Sequence, residues 1–214
     1  ADWGGIFCRP RIGDNKKHLY GDPIRLRYKK SRKDKEFHDF VAGYMHADVA
    51  DLNGDQKPDL LFTTAYKSSK PSGIKNVYDY VHFFLNSGER DAGGMPIFIA
   101  AGRVRHPENQ WGPVRAVDLN NDGTLDLVFG SMWRDSAGAN PATAAHYIKN
   151  KNPKGWPFQP AKPIQLDVGR RPSFFDVDRD GRYDAVCLEK DPRDDRLVTS
   201  SRLVWRKNEG GDPP

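Results

Sequence analysis

One nine-residue pattern occurs three times in this chain of 214 residues, and it restricts the possible folds more than any average property does. The copies are Asp51-Leu52-Asn53-Gly54-Asp55-Gln56-Lys57-Pro58-Asp59, Asp118-Leu119-Asn120-Asn121-Asp122-Gly123-Thr124-Leu125-Asp126 and Asp176-Val177-Asp178-Arg179-Asp180-Gly181-Arg182-Tyr183-Asp184. Each reads Asp-x-Asn/Asp-x-Asp-x-x-x-Asp and runs into an apolar trio: Leu60-Leu61-Phe62, Leu127-Val128-Phe129 or Ala185-Val186-Cys187. The copies begin 67 and then 58 residues apart. A unit of that length, repeated, cannot bury its apolar face alone and must stack against its neighbours.

Oxygen side chains at positions one, three and five, with a turn at six, wrap a loop around a hard cation. Position seven adds its backbone carbonyl, and the aspartate at nine closes the shell. The expected ligand sets are Asp51, Asn53, Asp55, Lys57 (carbonyl) and Asp59; Asp118, Asn120, Asp122, Thr124 (carbonyl) and Asp126; and Asp176, Asp178, Asp180, Arg182 (carbonyl) and Asp184. Six to eight oxygens at about 2.3–2.6 Å describe Ca2+, and no cluster of His or Cys accompanies them to favour a transition metal. An EF-hand needs Glu at position twelve, where this chain has Phe62, Phe129 and Cys187. A single Asp/Asn/Gly cluster is as readily a solvated turn. Three copies in one frame, each entering the same kind of apolar run, set these apart from ordinary turns.

A longer unit surrounds each loop. An apolar segment precedes it (Phe40-Val41-Ala42, Val114-Arg115-Ala116-Val117, Ser173-Phe174-Phe175) and the trio follows. Then comes a third strand ending in Asn: His82 to Asn86, His146 to Asn150, Val204 to Asn208. A fourth segment, Pro96 to Ile99 or Trp156 to Phe158, completes it. Four short strands per unit predict an all-β chain of propeller blades. On these motifs, residues from about 37 to 210 resemble the FG-GAP/VCBS repeat family, the calcium-loop blades also found in integrin α-subunit propellers. The implied division is 1–36 as outer strands of a preceding blade, with Pro23-Ile24-Arg25-Leu26 as its fourth strand; 37–103 as the blade of loop one; 104–162 as that of loop two; and 163–214 as an incomplete blade with loop three. Up to three Ca2+ are expected. Loop one is expected to be the weakest site, because Gln56 stands where the family has Gly.

Three and a half blades cannot close a ring of typically four to eight. The missing part is expected from a second copy, another subunit or the rest of a longer polypeptide; the alternative is a compact three-blade domain. No apolar run approaches the roughly 20 residues of a transmembrane helix. Cys8 and Cys187 are compatible with one bridge or two thiols. A calcium-dependent fold suits an extracellular, cell-surface or periplasmic setting.

The resemblance puts the loops joining strands two and three, and those entering strand one, on the face opposite the calcium loops. Here they carry Tyr66 to Lys70, Ser131 to Asp135 and Lys190 to Asp194, with Tyr44, His46, Asp48, His106, Trp111, Arg115, Arg170 and Arg171 at the approaches to strand one. Positions five and three before each motif (His46/Asp48, Pro113/Arg115, Arg171/Ser173) point the same way and are expected at a channel mouth. Arginine and aromatic groups there suit an anionic glycan; blade packing is the plainer role for each residue alone. Two functions follow: a non-enzymatic module binding an anionic glycan or protein, or a lyase acting on uronic-acid polymers. The lyase would use His46 or His106 as base, Tyr44 as acid and Arg115 or Arg171 as carboxylate clamp. His82 and His146 recur at one strand position, which argues for packing. The basic run Arg25 to Lys33 has no nucleic-acid motif beside it. The formal charge is +5, and three bound Ca2+ would raise it to +11, which favours an anionic partner.

Overall fold

Leu, Val and Phe crowd into short runs after each loop with no helical period, and the backbone there is extended. The computed structural model describes residues 7–9, 22–40, 46–63, 80–105, 113–130, 145–168, 170–190, 201–211 and 214, with 170, 171, 189, 190 and 201 described by their backbone alone. Among the described residues the protein is all-β, with no helix and hence none long and apolar enough to cross a membrane.

The strands are β1 (Phe7–Cys8), β2 (Ile24–Arg25), β3 (Arg27–Lys29), β4 (His38–Asp39), β5 (His46–Ala50), β6 (Asp59–Thr63), β7 (Tyr80–Arg90), β8 (Pro96–Arg105), β9 (Val114–Val117), β10 (Asp126–Phe129), β11 (Ala145–Ile148), β12 (Ile164–Leu166), β13 (Arg170–Phe175), β14 (Asp184–Lys190) and β15 (Ser201–Arg206). Each motif loop joins the first two strands of an antiparallel meander. The first sheet runs β5-β6-β7-β8 and continues through β3 to β4; the second runs β9-β10-β11-β12; the third runs β13-β14-β15. Register repeats from sheet to sheet, with Leu61 opposite Phe83, Val128 opposite Tyr147 and Val186 opposite Trp205. This is the build of successive propeller blades.

The sheets stack through their apolar faces. Leu52, Leu61, Val81 and Phe83 of the first sheet bury against Val114, Leu127, Phe129 and Ile148 of the second. Val117, Leu119, Val128, Ala145 and Tyr147 on the second sheet's other face receive Phe174 of the third. Burying each such Leu or Phe contributes roughly 1.5–3 kcal/mol, so the stacking is the main cohesive force.

Three strand expectations need correction. The strand before loop one is His46–Ala50, not Phe40 to Ala42. Phe40 lies outside any strand and is buried against Phe62 and Phe84, so its apolar character serves packing; Val41 and Ala42 lie outside the described residues. The fourth strand of the second sheet is Ile164–Leu166, beyond the boundary drawn at 162. Trp156 and Phe158 are apolar because they pack on Phe83 of the first sheet, and the Trp156–Pro157 peptide is cis. Finally, residues 27–39 do not belong to a preceding blade. Strand β3 pairs in parallel with β8, Tyr28 opposite Phe98, so this segment widens the first blade's own sheet. Leu26 and Phe40 then pack on Leu60, Phe62, Phe84 and Phe98 of that sheet. Ile24–Arg25 pairs with Phe7–Cys8 in a small separate sheet. Cys8 and Cys187 are thiols, not a bridge.

Candidate metal centre

The three loops are wound alike, and their own carboxylates do the winding. The first aspartate accepts hydrogen bonds from the backbone N–H groups at positions five and six. Asp51 does so from Asp55 (3.0 Å) and Gln56 (2.7 Å), Asp118 from Asp122 (3.0 Å) and Gly123 (2.8 Å), and Asp176 from Asp180 (3.0 Å) and Gly181 (3.1 Å). The position-five carboxylate accepts the N–H of position seven at 3.0 Å in every loop. Positions four and six both take positive φ: Gly54 and Gln56, Asn121 and Gly123, Arg179 and Gly181. Gln56 at φ 64° occupies the left-handed region, a strain of roughly 1–2 kcal/mol for a residue with a Cβ. The other loops carry one such residue each, at position four, where loop one has its glycine. The glycine of loop one is moved within the turn, so loop one carries no more strained residues than its neighbours.

The aspartate at position nine has a distinct setting. Asp59, Asp126 and Asp184 are wholly buried. Asp59 accepts the N–H of Leu52 (2.9 Å) and of Asn86 (2.7 Å); Asp184 accepts those of Val177 (3.1 Å) and Asn208 (2.9 Å). Asp126 accepts the N–H of Asn150 (2.7 Å) and the Tyr147 hydroxyl (2.6 Å). Each therefore ties its loop to the end of the third strand. The strand-end asparagines return the tie: Asn86, Asn150 and Asn208 accept the N–H of Gly88, Asn152 and Gly210, and Asn208 donates to Leu119 O in the second blade (2.8 Å). The recurrence of Asn at that place was visible in the sequence; its bracing role was not.

Burial pushes the Asp126 carboxyl up to about 6, against the pull of Tyr147 and Asn150, and raises Asp59 as well. The position-five carboxylates move the other way. The hydrogen bond from Lys57 lowers Asp55. Burial raises Asp122, but Thr124, Asn120 and Lys149 outweigh it; burial likewise raises Asp180, but the Arg182 N–H and Lys207 prevail. An ammonium attends every loop: Lys57 on Asp55 (3.0 Å), Lys149 on Asp122 (3.3 Å), Lys207 on Asp178 and Asp180. Lys149 and Lys207 each directly precede the strand-end Asn, a placement sequence reasoning passed over.

Two observations bear on a cation. Asp176, Asp178 and Asp180 offer carboxylate oxygens that all lie within 4.8 Å of one another. Oxygens sharing a calcium ion at about 2.3–2.6 Å cannot be more than about 5 Å apart, so this set meets the requirement. Asp184 is outside that trio. In loop two, Asn120 donates to Asp122 (2.9 Å), while its own buried oxygen has no donor. A buried acceptor without a partner is costly, and a hard cation relieves it. Among the described residues, the loop-three trio alone has the carboxylate spacing a calcium ion requires.

Residues 51–129 match the FG-GAP-like repeat family. That stretch of the chain is similar to the FG-GAP-like repeat. The matched stretch runs from the first aspartate of loop one to the last residue of β10, taking in loop two, strands β6, β7 and β8 of the first blade and β9 and β10 of the second. Neither the curated proteins nor the solved structures compared with the chain gave a match.

On the inner strands of these blades, the residues three before each motif do meet. Asp48, Arg115 and Ser173 line one cavity of about 360 Å3, together with Asp118, Phe175 and Tyr183. Asp48 also accepts the N–H of Ala116 (3.0 Å), joining the inner strands of two blades. Arg115 stands 3.7 Å from Asp48, so the expected carboxylate clamp already faces a carboxylate. His46 and Pro113 are not among the lining residues. The Arg171 side chain, Tyr44, His106, Trp111, Tyr66 to Lys70, Ser131 to Asp135 and Asp191 to Asp194 lie outside what the structure describes. His82 stacks on Phe62, and burial lowers it; His146 is buried, as packing residues are.

Proposed function

We propose that this chain is a calcium-stabilised propeller-type module that binds an anionic partner, an acidic glycan or protein, in a calcium-rich extracellular or periplasmic setting. The observation that carries the reading is the repeated loop: three identical carboxylate windings, one with Asp176, Asp178 and Asp180 within 4.8 Å and one with a buried amide oxygen lacking a donor. When bound, the ion supplies charge neutralisation and cross-linking of the loop. The chain supplies Asp, Asn and carbonyl oxygens, and Lys57, Lys149 and Lys207 balance the carboxylates around them. Ion binding to the folded loops only is folding free energy. Support for an anionic partner comes from charge: +5 formally, and +11 with three Ca2+. Exposed Arg27 and half-buried Lys29, both over the Phe37 ring, add a basic edge.

Chelation with EGTA is expected to lower the melting temperature by more than about ten degrees, restored by Ca2+ and not by Mg2+. An unchanged melting curve in excess EGTA would sink the calcium reading. Acidic polysaccharides and acidic proteins are then titrated with calcium present; binding that weakens with salt is expected, and no binding to any of them refutes the anionic-partner reading. The lyase reading draws no support from the described residues, since Arg115 faces Asp48. A rise in unsaturated-uronide absorbance on an acidic polysaccharide would restore it.

A further inference from the structure

Nearly all of the chain's excess charge sits on one hairpin. Residues 25–39 carry seven Lys and Arg against three carboxylates, a net +4 out of +5 for the whole chain. The rest of the metal-free chain is close to neutral, so its attraction for anions is concentrated here. Strands β3 and β4 form the hairpin, joined by residues 30–37, and β4 is the outermost strand of the first sheet. Alternation sorts its side chains. Leu26 and Tyr28 pack inward with Phe40 and Phe84, while Arg27 and Lys29 point the other way, over the Phe37 ring at 5.1 and 5.0 Å.

Two of the three carboxylates hold the hairpin's own shape. Asp34 accepts the N–H groups of Lys30 (3.3 Å) and Glu36 (3.1 Å) and meets the His38 ring nitrogen (3.1 Å). Asp39 accepts from Arg25 (3.1 Å). Lys30, Arg32, Lys33 and Lys35 are exposed, and none of them has an ion pair among the described residues. Glu36 is the third acid, set against these four together with Arg27 and Lys29.

We propose that the β3–β4 hairpin is the surface on which the anionic partner docks, and that this partner is a linear acidic polysaccharide. The proposal rests on the anionic-partner reading above and adds the place and the chemical class. Three features choose the occupant. Arg27 and Lys29 stand about 7 Å apart along an extended strand and the turn continues the row, which suits a polymer with anionic groups at short regular intervals. A single-stranded nucleic acid would also need open aromatic faces on which bases stack. Here the Phe37 ring is taken by two cations, and Tyr28 packs against His38, Phe40 and Phe84. A folded protein partner needs an apolar anchor at the centre of its contact. Phe37, 36% exposed, is the hairpin's one exposed large apolar side chain. Ammonium and guanidinium contacts to sulfate or carboxylate groups need neither feature.

The test is calorimetric binding at low salt, with calcium present, of dextran sulfate and of hyaluronate, one bearing sulfate and the other carboxylate. Neutral dextran and a single-stranded DNA oligonucleotide are run alongside. The wild type is expected to bind at least one acidic polymer and not neutral dextran. Arg32→Gln, Lys33→Gln and Lys35→Gln combined in one chain should weaken that binding about tenfold, the effect of three exposed charge pairs of ordinary strength. Its unfolding transition should match the wild type. Lys151→Gln, Lys154→Gln and Lys162→Gln combined remove the same charge from exposed positions between the last two strands of the second sheet, and should change binding less than about twofold. Equal weakening by both triple variants, or by neither, would overturn the assignment to the hairpin while leaving an anionic partner in place. An oligonucleotide held more tightly than either polysaccharide, through the same three residues, would overturn the glycan. Binding of neither polysaccharide would overturn the proposal, and the anionic-partner reading falls with it only if acidic proteins also fail to bind.

Discussion

Replacing each buried position-nine aspartate by asparagine keeps shape and removes charge, and the structure makes the three outcomes unequal. At Asp59 both carboxylate oxygens accept backbone N–H groups, from Leu52 and Asn86, and the residue is wholly buried. An amide has only one oxygen, so its NH2 must face one of those donors and leave a buried N–H without an acceptor. That costs about 1–3 kcal/mol, to which the loss of charge assistance in the remaining bond adds; a total near ~3 kcal/mol is expected. Asp184 has the same pair of donors, from Val177 and Asn208, and the same expectation. At Asp126 the second donor is the Tyr147 hydroxyl, which rotates to accept from an amide. Burial also holds the Asp126 carboxyl at about 6, so its ionisation at pH 7 opposes folding by up to roughly 3 kcal/mol, which the amide removes. Asp126→Asn is therefore expected within about 1 kcal/mol of wild type, and Asp59→Asn at least ~2 kcal/mol below it. Urea unfolding at pH 7 in excess EGTA measures the bracing alone, apart from any ion. Equal losses at the two positions, or a larger loss at Asp126, would refute the reasoning.

Further expectations concern the same loops. In the metal-free protein the raised Asp126 carboxyl means the folded state holds its proton more tightly than the unfolded state. Its contribution is complete below about pH 4, is lost as pH rises through about 6, and disappears in Asp126→Asn; urea midpoints between pH 4 and 7 read this slope. Gln56→Gly and Arg179→Gly should each stabilise by about 0.5–1 kcal/mol, since relief of a left-handed backbone outweighs the added freedom of the unfolded chain. Thermal melts decide this, and a loss at either position counts against the strain. Lys207→Met removes the ammonium facing Asp178 and Asp180. It should lower the metal-free melting point and tighten calcium binding to loop three several-fold by calorimetry at low salt; weaker binding would contradict the competition.

How much was legible in advance follows from the range of the interactions concerned. The loops could be read directly because their forces are local: Asp51, Asp118 and Asp176 bond to N–H groups four and five residues on, and the positive-φ turns fall inside the same nine residues. The all-β class and the strands flanking loops two and three follow from equally short-range patterns. Other features depend on partners far along the chain. Phe40, Trp156 and Phe158 look like strand residues by composition, yet they are apolar because Phe62, Phe84 and Phe83 lie beside them after folding. The parallel pairing of Tyr28 with Phe98 joins segments 70 residues apart, and no local period encodes it. That pairing decides that this segment widens the first blade's own sheet. The exposure of Leu203 and Trp205 is likewise a tertiary fact. Leu203 and Trp205 carry the same apolar pattern as Val81 and Phe83, and only the stacking of sheets distinguishes the pair that is covered from the pair that is not.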